Sequence, residues 1–227
     1  MTSNTKPTVL IVHGGWHVPE SYEKLTAILE SAGYELCRKS DSGRTYWVLA
    51  HSYGGQVASN ALYGLGVEAR SAKGLKGGVS HLIYMTGYAG PEGVAMMDKV
   101  KEFGNMDLVP LAFDFADDDT CVSRDPKNLI VGPGDEAEVE AYLKTFVRWN
   151  GKCMYQPTEH AAWRKIPTAY IYTKADMTVP IHYQRQFVED IEKAGRKVQT
   201  FEVETGHCPN FSAPQAVVDA VNKVVLG

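Results

Sequence analysis

Cysteine is scarce in this chain and unpaired in its spacing. Cys37, Cys121, Cys153 and Cys208 lie far apart, with no CxxC among them. That spacing argues against a disulfide framework and reads as free thiols in a reducing cytoplasm. Long apolar runs are missing too, since nothing approaches the ~20 consecutive apolar residues that span a bilayer. The first seven residues are polar and lack the apolar core of a signal peptide, so the expected compartment is the cytoplasm. Positive charge is thin: the formal net charge is −4, and the most basic stretch, residues 70–76, holds only Arg70, Lys73 and Lys76. It reads as a solvated loop and excludes a nucleic-acid or membrane-surface footprint. The sequon Asn210-Phe211-Ser212 means little without a secretory signal. Internal repeats and low-complexity linkers are also absent.

What remains is a 227-residue chain, 44% hydrophobic, enough for a single α/β domain with an ample core. The stretch around which it is organised is Tyr46-Trp47-Val48-Leu49-Ala50-His51-Ser52-Tyr53-Gly54-Gly55. An apolar run enters Ser52, glycines follow, and residues 56–62 have a helical pattern. Strand, sharp turn and helix with Ser at the apex describe a nucleophile elbow. Such a turn strains the Ser backbone and requires small neighbours two places either side. Ala50 and Gly54 meet that need, with Ala50 standing where Gly is usual.

Other strands are expected at residues 8–12, 34–37, 81–85, 168–173 and 198–203, from their apolar and β-branched content. Helices are expected at residues 20–32 (with Gly33 as C-cap), 181–194 and 213–225. Alternating strands and helices imply a doubly wound, mostly parallel sheet. Residues 90–165 break the alternation. Helical pieces are expected at 91–103, 134–149 and 159–165. The adjacent acids Asp117-Asp118-Asp119 read as a hairpin tip, because three neighbouring carboxylates without spaced partners are poor metal ligands. No metal or cofactor is expected. We read 91–165 as a helical lid on a core formed by 1–90 and 166–227. Its many Met, Phe and Trp residues supply core, and a few of them a substrate pocket.

A Ser hydroxyl becomes a competent nucleophile only when a base takes its proton and an acid orients that base. On this fold the order should be Ser, acid, His, each after a strand. Asp176 follows the strand at 168–173, and His207 follows the strand at 198–203 in a Gly/Pro turn. Either residue alone is ordinary, as a turn-capping Asp or a surface His. The remaining histidines (13, 17, 51, 81, 160 and 182) show how common the latter reading is. The ordered coincidence carries the weight. An oxyanion hole needs backbone N–H donors. Tyr53, next to the nucleophile, is one, and Gly15 in the Gly14-Gly15 loop is the other, with Trp16 the next candidate and a substrate contact. His13 is expected to bond that loop.

These motifs also carry a resemblance. Val12-His13-Gly14-Gly15-Trp16, the elbow from Ala50 to Gly55, Ala175-Asp176 with Val179-Pro180, and Gly206-His207 resemble the α/β-hydrolase superfamily. The likeness is to its small serine esterase type, which includes plant methylesterases and hydroxynitrile lyases, and it extends over nearly the whole chain. It implies Ser52 as nucleophile, His207 as base and Asp176 as its orienting acid. Hydroxynitrile lyases typically carry Lys after the catalytic His, and Thr at the first Gly of the oxyanion loop. Cys208 and Gly14 stand there instead, which favours hydrolysis.

The expected activity is cleavage of a small, fairly apolar ester, thioester or lactone through an acyl-enzyme on Ser52. The alternatives are an impaired hydrolase-like binding scaffold, or a lyase or cyclase using the same triad. The scaffold reading comes from a departure upstream of the elbow. Ser52 follows Gly15 by 37 positions, and residues 38–45 are all that connect the second strand to the elbow strand. The family has a further loop and a whole helix there. Eight extended residues reach at most ~28 Å, too little for a crossover helix. One sheet face near the elbow is then left exposed or covered by a partner subunit, which mildly favours a homodimer.

Overall fold

The computed structural model describes residues 6–37, 41 and 43–226. A six-stranded parallel sheet runs through it. Its strands are β1 (Thr8–Val12), β2 (Glu35–Leu36), β3 (Thr45–His51), β4 (Gly78–Met85), β8 (Thr168–Thr173) and β9 (Val198–Val203), in the order β2-β1-β3-β4-β8-β9. Every pairing in it is parallel. The doubly wound parallel expectation therefore holds. The helices are α1 (Glu23–Ser31), α2 (Gly54–Ala61), α3 (Val67–Ser71), α7 (Ile181–Lys193), α8 (Pro209–Ser212) and α9 (Pro214–Leu226). The N-terminal helix is shorter than its pattern suggests. Pro19–Tyr22 forms a separate 3-10 turn, with Pro19 as its first residue, before α1 begins.

Side chains alternate along the strands, so each strand feeds two cores. Val48, Ala50, Leu82, Tyr84 and Tyr170 pack with α2 and α7 on one face. Trp47, Leu49, Ile83, Met85 and Ile171 pack with α1 and α9 on the other. Leu25 and Leu29 of α1 are fully buried, each contributing about 1.5–3 kcal/mol by leaving water.

The short crossover has a geometric explanation in the register. Val9 of β1 faces Leu36 of β2 on one side and Trp47 of β3 on the other. The chain leaving β2 at Leu36, level with Val9, enters β3 at Thr45, one position before the partner of Thr8. It therefore has about two residues, roughly 7 Å, to retrace and two strand spacings, roughly 10 Å, to cross. A helix is unnecessary. Residues 38–40 and 42 of that connection lie outside the described residues. A shallow groove remains on the α2 face beside it, walled by Leu10, Tyr46, Leu62, Leu65 and Val79.

Between β4 and β8 lie α4 (Met96–Glu102), α5 (Val109–Ala112) and α6 (Glu136–Leu143). A three-stranded antiparallel sheet lies there too, formed by β5 (Phe113–Phe115), β6 (Thr120–Ser123) and β7 (Trp149–Asn150). The expected helical lid therefore also contains a small antiparallel sheet, of which the sequence pattern indicates only the hairpin tip at 117–119. α6 stops at Leu143, and the chain turns so that Val147 N–H donates to Trp16 O before pairing as β7. Residues 159–165 form only a 3-10 turn, Ala162–Arg164, anchored by the fully buried Trp163. Asp117, Asp118 and Asp119 sit at the β5–β6 hairpin tip, as expected. A third apolar cluster joins this segment to Trp16, Cys208 and Phe211, placing it over the carboxyl ends of the core strands.

Candidate active site

Ser52 caps β3 with φ of +53°, a left-handed backbone that L residues adopt only under constraint. The constraint is visible on both sides. Ser52 N–H donates to Met85 O, and Ser52 O accepts from Tyr88 N–H. The turn is tight enough that a Cβ on Gly54 would come within 2.3 Å of Val12 O. That close approach is why this position must be glycine.

Ser52, His207 and Asp176 come together, though 124 positions separate Ser52 from Asp176 in the sequence. Ser52 Oγ lies 2.8 Å from His207 Nε2, and His207 Nδ1 lies 2.7 Å from Asp176 Oδ2. Their loops follow β3, β8 and β9, at the carboxyl edge where open α/β sheets bind ligands. His207 is fully buried and Asp176 nearly so.

Asp176 is held from every side. Its Oδ2 accepts from the hydroxyls of Thr86 (2.7 Å) and Thr173 (2.8 Å) as well as from His207. Its Oδ1 accepts from the N–H groups of Thr178 and Val179, both at 2.8 Å. Five donors around the buried carboxylate fix its orientation. The segment between β4 and β8 braces both loops. Leu129 O accepts from Thr178 Oγ, and Ile130 O accepts from His207 N–H.

The Gly14-Gly15 loop stands beside Ser52. A Cβ on Gly14 would meet Ser52 Cβ at 2.9 Å, and one on Gly15 would meet the Trp149 ring at 2.6 Å. Among the described residues, neither Gly15 N–H nor Tyr53 N–H donates a hydrogen bond. Both residues border the cavity that opens at Ser52. His13 bonds Gly14 O through Nδ1 at 2.9 Å, as expected. Trp16 lines the same cavity. Its ring stacks on Phe113, and its Nε1 donates to Cys121 O.

The cavity walls are otherwise mostly apolar, with Met96, Met97, Phe113, Trp149, Met154 and Phe187, while Thr178, Tyr88 and Tyr183 also reach the wall. The one charged group on the wall, Lys99, already pairs with Asp190 and Glu102. Among the described residues, no cluster of His, Cys, Asp or Glu could hold a metal ion. Likewise no helix there is long and apolar enough to cross a membrane.

Sequence reasoning missed several residues. Thr86 gave no signal beyond its place at the end of β4. His17 and His51, read from sequence as ordinary surface side chains, are 2% and 0% exposed. Burial holds the His17 imidazole down to about 3 and that of His51 well below its usual range. Tyr22 is equally buried, and its hydroxyl meets His51 Nδ1 at 2.6 Å. The only advance sign was that His51 belongs to the elbow itself.

The alpha/beta hydrolase family model matches residues 25–220. Alpha/beta hydrolase nvfD of Aspergillus novofumigatus is 26% identical over 248 residues, covering 94% of each chain. Probable hydrolase R7 of a Phoma species is 26% identical over 188 residues, or 79% of this chain and 70% of that one. Among solved structures, polyneuridine aldehyde esterase superposes with a TM-score of 0.77 at 16% identity, covering 97% of this chain and 99% of that one. The methylesterase MES16 of Arabidopsis gives 0.73 at 15% identity, with the same coverage.

Proposed function

The chain belongs to the alpha/beta hydrolase family, and from that premise we propose that it is a serine hydrolase of small, fairly apolar carboxylic esters, thioesters or lactones. The observation that carries this reading is the hydrogen-bonded run Ser52 Oγ, His207, Asp176. His207 Nε2 takes the Ser52 proton as Oγ attacks the acyl carbon. Asp176 keeps the Nδ1–H tautomer in place and stabilises the imidazolium that forms. The oxygen that becomes negative is received by the N–H groups of Gly15 and Tyr53, whose lack of other partners supports that role. The alcohol or thiol leaves with the proton from His207. Water, deprotonated by His207, then releases the acid from Ser52. No step requires a cofactor.

The mostly apolar walls support an uncharged acyl group. Trp16 contacts it, and the segment at 91–165 acts as the lid. The connected triad supports turnover over a binding scaffold, the reading that the short crossover had prompted. Four cysteines without a disulfide support a reducing cytoplasm. The groove beside the crossover supports a homodimer; a monomeric mass by light scattering at working concentrations would remove that last point. A series of short-chain chromogenic esters tests the activity: wild type releases chromophore and Ser52→Ala does not. Equal rates for the two would overturn the reading.

A further inference from the structure

Two loops must hold station for the proposed chemistry: the one bearing Gly15 and the one bearing His207. Two buried hydrogen-bond relays join them, and both pass through an imidazole that the reaction does not use.

The first relay starts at Gly14 N–H, which donates to Tyr22 Oη at 3.1 Å. Tyr22 Oη lies 2.6 Å from His51 Nδ1, and His51 Nε2 lies 2.8 Å from the backbone O of His207. The proton positions follow from the ends. A carbonyl oxygen only accepts, so His51 carries its proton on Nε2. Its Nδ1 is then an acceptor, and Tyr22 donates to it. Burial raises the Tyr22 hydroxyl well above its usual range, so the proton stays on oxygen.

The second relay has the opposite tautomer. His17 Nδ1 lies 2.6 Å from Gly15 O, so the proton sits on Nδ1. His17 Nε2 accepts, and Cys208 Sγ stands 3.5 Å away as the thiol donor. Burial likewise pushes the Cys208 thiol up, keeping it protonated. The two rings cross edge to face with centroids 5.0 Å apart. Within each run the donors point the same way, the first from the Gly14 loop toward His207 and the second from Cys208 toward Gly15, with no unpaired group left on either imidazole.

The relays act on peptide groups that matter. In a planar trans peptide, C=O and the following N–H point in opposite directions. Gly14 O is drawn to His13 Nδ1, which turns Gly15 N–H to the other side. Gly14 N–H and Gly15 O are tied by Tyr22 and His17, so the loop is pinned at three successive groups. Gly15 N–H is left free.

We propose that Tyr22–His51 and Cys208–His17 are a pair of neutral cross-braces that fix the Gly14-Gly15 loop against the His207 loop. The four are positioning residues: they set the distance between the oxyanion donor and the base and touch no substrate. The assignment of the donor and the base rests on the proposed hydrolase reading. The braces themselves rest on the hydrogen bonds alone.

Tyr22→Phe keeps the ring and removes the relay's middle oxygen, and Cys208→Ala removes the other relay's donor. Each should lower kcat about tenfold, the worth of one well-placed hydrogen bond in a transition state. KM should stay within about twofold, since substrate walls are untouched. Cys208→Ser keeps a donor and should restore most of the rate. A second readout does not need turnover: the far-downfield proton resonance of His207 Nδ1–H on Asp176 should shift or broaden in Tyr22→Phe and in Cys208→Ala. Folded variants with wild-type kcat and an unmoved resonance would overturn the proposal. Should Tyr22→Phe fail to fold, the Cys208 pair decides. Rescue by Ser supports the braces, and equal rates for Ala and Ser with an unmoved resonance contradict them. A wild type that hydrolyses no ester overturns the hydrolase reading, while the resonance still reports on the braces.

Discussion

Thr86 donates its hydroxyl to Asp176 Oδ2 at 2.7 Å, from a backbone held at φ of +42°. A residue at the end of β4 thereby orients the acid that follows β8. β4 and β8 are neighbouring parallel strands, so the contact follows from their register. Thr86→Val keeps the shape and removes the donor. Hydrogen bonds to charged groups contribute about 1.5–3 kcal/mol, so kcat should fall by roughly tenfold or more with little change in KM. Steady-state kinetics with a short-chain ester measures both.

Stability should depend on pH through the buried histidines. His17 is held to about 3 and His51 is lowered as well, both by burial, against an unfolded value near 6.5. The folded state therefore binds fewer protons than the unfolded chain below that value. Stability is fully present above about pH 6.5 and is lost as pH falls toward 3, by up to about 1.4 kcal/mol per pH unit for each histidine. Urea midpoints at pH 7, 5.5 and 4.5 should decline in that order. His51→Gln should flatten the decline.

Gly54 is a packing requirement as much as a turn requirement. A methyl there would stand 2.3 Å from Val12 O and 2.6 Å from His13 O, both backbone atoms that cannot step aside. Gly54→Ala should destabilise the fold by about 1–3 kcal/mol and displace the loop leaving β1. Thermal unfolding reads the first effect, and loss of turnover beyond the fraction unfolded reads the second.

The substrate cavity should reject charge. Its walls are mostly apolar, and the Lys99 ammonium is taken by Asp190 and Glu102. Burying an unpaired carboxylate costs several kcal/mol, so an acyl group ending in a carboxylate should lose at least about a hundredfold in kcat/KM against its uncharged isostere. A pair of chromogenic esters, butyrate and hemisuccinate, makes the comparison.

Much of this architecture is legible in the sequence, for a physical reason. Strands buried on both faces must be apolar and β-branched, and the proposed chemistry needs a Ser, an acid and a His in order after separate strands, as Ser52, Asp176 and His207 are placed. The residues that hold those side chains in place are not legible. Thr86 and Asp176 are 90 positions apart, and Tyr22 reaches His51 across 29. Nothing in a lone Thr, Tyr or His declares a partner that sheet register alone brings near. The three-stranded sheet at 113–150 was hidden for a related reason. β7 is two residues long, and its pairing with β6 depends on a non-local turn rather than on pattern. The helix expected at 159–165 does not form because Ala161 is non-helical at ψ of 88°, the preceding N–H groups of Glu159 and His160 are taken by Asn60 Oδ1, and Pro167 follows directly, leaving room for only the short turn at Ala162–Arg164.

The central claim is that Ser52 is a nucleophile activated by His207. Its most direct test is treatment with a fluorophosphonate followed by peptide mapping of the adduct. The account predicts one stoichiometric adduct on Ser52 in the wild type, and a rate of labelling at least about a hundredfold slower in folded His207→Ala. An unlabelled Ser52 in a folded wild type, or equal labelling in His207→Ala, would contradict it.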